Sequence, residues 1–373
     1  MIIGILKEPD FDHRVSLLPE NVKTLLDLKT TILFEKGAGD KAFYSDETYK
    51  KIGAEVVERT KVLSDSNLLV TINALSKDEY EKLKSDQAIL TAYSPLSNKE
   101  LIKQFIDKGN TSFSMDMVPR ISRAQSMDIL SSMATISGYK AVLEAANNLP
   151  NFFPMLMTAA GTIRPSKILV LGAGVAGLQA VATARKLGAV VEAFDVRTAV
   201  KEQVESLGGK FVEVEGAKDD ANAGGYAVEQ TEEYKQKQQE LIQDHAKKAN
   251  VVITTAQIPG RKAPVLITKD TVENMIPGSV IIDLAASTGG NCELTKNDEI
   301  IDINGVKIIG NSNLPSEMPS DASKMYGNNI INFMKLIIDD EGKLKLDFED
   351  EIVRGTCITH NKEIISERVK SID

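Results

Sequence analysis

The sequence predicts an α/β fold of two doubly wound, mostly parallel sheets joined by long helices. Three observations predict it. Short apolar runs alternate with amphipathic stretches from the first residues onward, the pattern of parallel strands linked by crossover helices. The alternation occurs twice, with a long helical stretch of small and apolar residues between the two blocks. The chain has 373 residues, more than one ordinary hydrophobic core supports, so two domains are expected.

In the first block, Ile2 to Leu6, Thr31 to Phe34, Leu68 to Ile72, Ala88 to Tyr93 and Ser112 to Met115 are predicted strands. Pro19 to Leu28, Glu47 to Ile52, Lys77 to Leu83 and Asn98 to Lys108 are predicted helices. Ile129 to Ala146 is a predicted connector helix, ended by "NNLPNFFP". The second block begins at Lys167, with strands expected at Ile168 to Leu171, Val190 to Phe194, Val251 to Thr254, Val280 to Leu284 and Val306 to Gly310. Asp219 to Lys248 is polar and glutamine-rich, with "ANAGGY" at its head, and reads as a functional loop with a helical tail. After "NLPSEMPSD" comes an amphipathic helix with Asp321 as its expected cap, crossing back onto the first domain. The tail "LDFEDEIVRGTCITHNKEII" is expected to form a short hairpin or loop there. Residues 1–130 plus 315–373 are thus expected to form one domain, and 131–314 the other.

Composition excludes several function classes. Forty-four basic against 53 acidic residues leave a net charge of −9. That is no footprint for nucleic acid and no polybasic membrane patch. Cys292 and Cys357 form no CxxC motif, so a reducing compartment is expected rather than a disulfide framework. His13, His245 and His360 share no ligand spacing, so no metal is expected. "MIIGILKEPD" lacks the basic start and long apolar run of a signal peptide. The most apolar stretch, "KILVLGAGVAGLQAVATA", is interrupted by glycines and reads as strand, turn and helix. The chain is not expected to span a membrane, although docking on something that does remains open.

The strongest motif is "ILVLGAGVAGLQAVATARKLGAVVEAFDVR". Gly172, Gly174 and Gly177 give G-x-G-x-x-G directly after an apolar strand, with Val175 among them as a further cofactor-binding candidate, and a helix read as Ala176 to Leu187 follows. The first glycine permits the turn, the second lets a pyrophosphate approach the backbone, and the third lets helix and strand pack closely. The helix start supplies free N–H groups for phosphate. Asp195 closes the next strand, where a carboxylate takes adenosine ribose hydroxyls and repels a 2′-phosphate, favouring NAD over NADP. Val196 and Arg197 follow it. Arg197 tempers the preference, because an arginine can accept the extra phosphate.

"RISRAQSMD", residues 120 to 128, is a second polar cluster. If a helix starts there, Gln125, Asp128 and Ser131 fall near one face. Taken alone, the stretch reads as a solvated surface, with Arg120 and Asp128 paired and Gln125 as a cap.

"FDHRVSLLPENV", "GAGVAG…FDVR", "SLGGKFVEVE", "GGYA", "IPGRKAPVLIT" and "IDLAASTGGNCE" together resemble two related groups over nearly the whole chain. One is alanine dehydrogenase; the other is the NAD-binding domain I component of proton-translocating NAD(P) transhydrogenase. Alanine dehydrogenases use an arginine, a lysine, a histidine and an aspartate. Arg14 matches the arginine, but Asn73, Ser94 and Ser287 stand where the other three belong. Oxidising an amine needs a base, which these residues do not supply. Resemblance to the transhydrogenase component instead implies that Arg120, Gln125, Asp128 and Ser131 form a loop over the nicotinamide. It implies that Gly225 and Tyr226 belong to a mobile loop closing on NAD. Gln238 and Gln257 are weaker candidates for adenine or ribose contacts. The resemblance further implies NADH as hydride donor, a homodimer, an NADP-binding beta subunit and membrane-spanning subunits on other chains. It implies a peripheral position on the cytoplasmic side of the membrane. The sequence shows no membrane helices up to Asp373, so those helices are expected on partner subunits. The rival readings are an amino-acid dehydrogenase with a different base, and a regulatory NAD-binding subunit.

Overall fold

The computed structural model describes residues 1–214, 231–257 and 260–371, apart from the Tyr234 side chain. The chain divides into two compact units, Met1–Met133 with Pro315–Asp373, and Ala134–Leu314. In chain order the strands are β1 Ile2–Ile5, β2 Thr31–Glu35, β3 Glu55–Val57, β4 Leu68–Val70, β5 Ala88–Thr91 and β6 Thr111–Ser114. Then come β7 Leu156–Thr158, β8 Gly161–Ile163, β9 Lys167–Leu171, β10 Val190–Phe194, β11 Lys210–Phe211 and β12 Val251–Thr254. The last are β13 Val280–Asp283, β14 Ile300–Ile303, β15 Val306–Ile309, β16 Cys357–His360 and β17 Glu363–Ile364.

The first unit holds one sheet in the order β17-β16-β6-β5-β4-β1-β2-β3. The six strands from β6 across to β3 pair in parallel, and β16 and β17 extend the β6 edge antiparallel. The second unit runs β11-β10-β9-β12-β13-β15-β14, parallel except for β14. Counting the parallel strands within each unit, both sheets carry the order 3-2-1-4-5-6, the doubly wound dinucleotide-binding arrangement. The predicted fold class is therefore the observed one. In each sheet the order reverses beside the first strand, between β1 and β4 and between β9 and β12. Ligand crevices of such sheets lie there, beyond the strand carboxyl ends.

Central strands are mostly apolar because helices cover both faces. β12, Val251–Thr254, and β13, Val280–Asp283, are buried at every residue. The helix Pro319–Ile337 packs into the first unit's core through Tyr326, Ile330, Phe333, Met334 and Ile337. Phe333 meets Phe113 edge-on, with ring centroids 5.6 Å apart. In the second unit, small residues of the helix Ile129–Asn148 fit against the helix Val175–Lys186. Ala141 and Ala145 share a core with Ala180 and Ala184. A Cβ on Gly138 would stand 2.1 Å from the Ala176 carbonyl oxygen, so only glycine fits that crossing.

The ten predicted strands form, some shortened by a residue or two. β4 stops at Val70 because the Ile72 N–H donates to the Glu8 carboxylate rather than to a strand. Short or exposed strands carried too little pattern to be predicted: β3, the two-residue β11, the hairpin β7–β8, and β14, whose Ile300 is 62% exposed. Two expectations are corrected. Asp321 does not cap its helix: the helix starts at Pro319 after Met318, and Asp321 sits in the first turn. Gln125, Asp128 and Ser131 do not share a helix face. Ser122–Met127 is a 3-10 turn, Asp128 is extended, and the α-helix begins at Ile129. The tail forms the expected hairpin, β16–β17, preceded by a short helix, Glu351–Thr356. No helix among the described residues is long and apolar enough to cross a membrane.

Candidate dinucleotide-binding site

The second unit's switch point is built from four loops. After β9, Gly172 turns with φ +100° and donates its N–H to the Phe194 carbonyl at 2.8 Å. A side chain there is barred twice: by the φ, and by Thr255 Oγ1, 2.3 Å from where a Cβ would stand. The helix opens at Val175, with Gly174 as its N-terminal cap residue. A Cβ on Gly174 meets nothing within 4 Å, which leaves the backbone N–H groups open to a ligand. A Cβ on Gly177 would fall 1.8 Å from the Gly172 carbonyl oxygen. The three glycines thus serve three separate needs: turn, open approach and close packing. Val175, at the mouth, is 43% exposed.

Asp195 follows β10, and its side chain is 7% exposed. Its Oδ2 accepts from the Ala173 N–H at 2.7 Å, which ties the acid to the glycine loop. Arg197 bonds back to it from Nε to Oδ1 and from Nη2 to Oδ2, both at 2.8 Å, with its own N–H on Oδ1 at 2.9 Å. This pairing raises the Arg197 guanidinium above its ordinary value. Val196 is half-buried and packs into the core on that face.

Two further loops, quoted above for the resemblance, hold residues that were not singled out from the sequence: Thr255, Asp283 and Asn291. After β12, Thr255 Oγ1 donates to the Leu171 and Gly172 carbonyls, each at 3.2 Å. After β13, fully buried Asp283 accepts five hydrogen bonds: from Thr254 Oγ1, Ala285 N–H, Asn291 N–H, Cys292 N–H and Thr295 Oγ1. Asn291 then grips the neighbouring loop. Its Oδ1 takes the Ala256 N–H, and its Nδ2 donates to the Ala256 and Pro264 carbonyls. An acid closing the apolar run "VIID" was the signal available, the same kind that marks Asp195. Gln257 joins this bracing, donating to the Leu284 carbonyl at 2.7 Å. Gln238 is half-buried on the helix Glu232–Lys247. Gly225 and Tyr226 lie outside the described residues. A glycine cradle, an open helix start and a buried acid at the switch point together fit a dinucleotide.

The first unit's switch point is closed by its own side chains. Buried Glu8 accepts from Ile72 N–H, Thr71 Oγ1, Asn73 N–H and Asn73 Nδ2. Asn73 Nδ2 also reaches Asp12 at 2.8 Å. Asp12 holds the Arg14 guanidinium through two bonds, Nε to Oδ1 at 2.8 Å and Nη2 to Oδ2 at 2.5 Å, and accepts the Arg14 N–H on Oδ1 at 3.1 Å. Burial pushes the Asp12 carboxyl up, but bonds and charge from Arg14 outweigh it, and the group titrates below its ordinary value. Burial raises Glu8 despite its four donors. Ser94 is exposed with φ +51°, and in the second unit Ser287 is exposed.

In the polar cluster after β6, Arg120 and Gln125 are exposed, while Asp128 and Ser131 are half-buried. Asp128 caps the helix that begins at Ile129, accepting the Ser131 N–H at 3.0 Å and the Ser131 hydroxyl at 2.6 Å. Arg123 forms a bidentate surface pair with Asp350.

Models of two domains match the chain: the alanine dehydrogenase/PNT N-terminal domain over residues 4–137 and its C-terminal domain over 141–367. The chain belongs to the alanine dehydrogenase/PNT family. This is an oxidoreductase family that binds NAD(H). The NAD(P) transhydrogenase subunit alpha of Haemophilus influenzae is 42% identical, over 98% of this chain and 72% of its own length. The solved transhydrogenase from Sinorhizobium meliloti superimposes with a TM-score of 0.89 at 40% identity, over 98% of this chain and 100% of that one. Alanine dehydrogenase of Bacillus subtilis is 26% identical, over 99% of this chain and 94% of its own length.

Proposed function

We propose that this chain is the NAD(H)-binding component of a proton-translocating NAD(P) transhydrogenase. In this reading, NADH held by the second unit passes hydride to NADP⁺ held by a partner beta subunit. The balance is NADH plus NADP⁺ giving NAD⁺ plus NADPH, with no base consumed. Membrane-spanning partner subunits couple the transfer to inward proton movement, and this chain sits peripherally on the cytoplasmic side as a homodimer.

One observation carries the choice over amino-acid oxidation. Asn73, Ser94 and Ser287 offer no base, and the buried Glu8 and Asp12 carboxylates are already taken up by Thr71, Ile72, Asn73 and Arg14. Amine oxidation needs a side chain that accepts protons, whereas hydride exchange between two nicotinamides needs only orientation and exclusion of water. The transhydrogenase relatives support the same choice, being far more alike in sequence than alanine dehydrogenase.

The chain's residues would divide the work. The N–H groups at the helix start hold the pyrophosphate, and Asp195 takes the adenosine ribose hydroxyls. Arg120, Gln125, Asp128 and Ser131 orient the carboxamide and ribose of the nicotinamide half. Gly225 and Tyr226 close over the bound dinucleotide, with Gln238 and Gln257 as contacts at the adenosine end.

The test is nucleotide selectivity together with the rival reaction. The chain has no tryptophan, so NADH and NADPH fluorescence report binding without interference. The expected result is selective NADH binding and no NADH formation from alanine and NAD⁺. Alanine-dependent NADH formation by the pure chain would overturn the proposal.

A further inference from the structure

The Asp195 carboxylate is the ribose-binding group of the proposed site, yet its bonding capacity is already used. Two carboxylate oxygens offer about four acceptor positions. Oδ1 accepts the N–H and Nε of Arg197, and Oδ2 accepts the Ala173 N–H and Nη2 of Arg197. The acid side chain is 7% exposed and the arginine 28%. A ribose diol therefore cannot bond to this carboxylate until the guanidinium leaves at least one oxygen.

We propose that Arg197 is a specificity-determining latch on Asp195, displaced by the adenosine ribose of NADH and withheld from a 2′-phosphate while Asp195 pairs with it. This rests on the dinucleotide-site reading and adds to it. The two residues share one short turn after β10, so the pair forms locally and recloses when the site empties. The ribose hydroxyls of NADH replace the guanidinium's N–H donors on the carboxylate, so the exchange keeps the acid satisfied. A 2′-phosphate has no hydroxyl donor to offer in that place and brings a second anion to the same spot. Arg197 would have to abandon a buried bidentate partner to meet it. An arginine two residues from the acid is thus compatible with strong rejection of NADPH.

The latch also sets the fraction of protein ready to bind. Apparent affinity falls with the fraction of molecules in the open state, so removing the latch tightens NADH binding.

The experiment measures NADH and NADPH dissociation constants by nucleotide fluorescence on the full chain. It compares wild type, Arg197→Ala, Asp195→Asn and the double variant. Arg197→Ala is expected to bind NADH at least about threefold tighter, the release of a modest latch equilibrium, with NADPH still excluded. Asp195→Asn is expected to weaken NADH and to bind NADPH at least about tenfold tighter than wild type, since it removes the repelling charge and frees the arginine. The double variant is expected to lose that gain. Unchanged or weaker NADH binding in Arg197→Ala overturns the latch. So does NADPH binding by the double variant as tight as that of Asp195→Asn. Should Asp195→Asn fail to fold, the Arg197→Ala result decides alone. A wild-type chain that binds neither dinucleotide overturns the site reading and the latch with it. A wild type that binds NADH while the variants miss these shifts overturns the latch only.

Discussion

Single residues decide most of the chemistry proposed for this molecule. Asp12 shows how costly their loss is. Arg14 is buried against it, so Asp12→Asn leaves an unpaired buried cation and is expected to destabilise the protein by about 3–5 kcal/mol at neutral pH. Arg14 holds the folded-state carboxyl below its ordinary value. The stability Asp12 contributes is therefore full above the unfolded value and lost as pH falls through the folded one. Denaturant titrations of both proteins should show the gap narrowing below about pH 4; a gap constant down to about pH 2 would contradict the pairing. Asp128 is a second case. Asp128→Ala removes the bonds to Ser131 at a helix start, so it should cost about 1 kcal/mol. If the residue also orients nicotinamide, transhydrogenation in the assembled enzyme should fall by more than about tenfold. A variant that loses the stability and keeps the rate would leave Asp128 a cap and nothing more.

Elements turn those residues into a site, and here the sequence was unevenly legible. Buried parallel strands and the glycine fingerprint could be read directly, because burial on both faces forces unbroken apolar runs and a turn beside phosphate forces glycine. β3, β11 and β14 were not legible, since short edge strands bury too little to impose a period. Asp128 was misread for a related reason. Its spacing from Gln125 and Ser131 suits a helix, but its carboxylate takes the Ser131 N–H from outside the helix and so starts the helix one residue later. The acid closing "VIID" marked Asp283, but its donors from Thr254, Asn291, Cys292 and Thr295, and the hold of Asn291 on Ala256 and Pro264, appear only after folding. The glycine loop permits a sharp division. Gly174→Ala places its methyl in open space, so the thermal midpoint should hold within a few degrees while NADH affinity falls at least about tenfold. Gly177→Ala drives a methyl into the Gly172 carbonyl and should lose about 1–3 kcal/mol of stability as well as binding. Melting curves and NADH titrations of the two variants check both; equal behaviour would mean the glycines do not play separate parts.

The whole molecule repeats one architecture and uses its two switch points differently. One carries a glycine loop and a buried acid; the other is filled by Glu8, Asp12, Arg14 and Asn73. The repeat was legible as two alternating blocks, while the filling of the first crevice was not, because it depends on side chains that meet only after folding. Homodimer formation is checked by sedimentation, with about twice the 40.6 kDa chain mass expected and a single-chain mass contradicting it. The central claim is that this chain donates hydride to a nucleotide bound elsewhere. The most direct measurement mixes the purified chain and NADH with a purified NADP-binding beta chain carrying an NADP⁺ analogue, and follows reduction of the analogue. The account predicts reduction in the mixture and none with either chain alone. No reduction in a mixture where both chains have bound their nucleotides would contradict it.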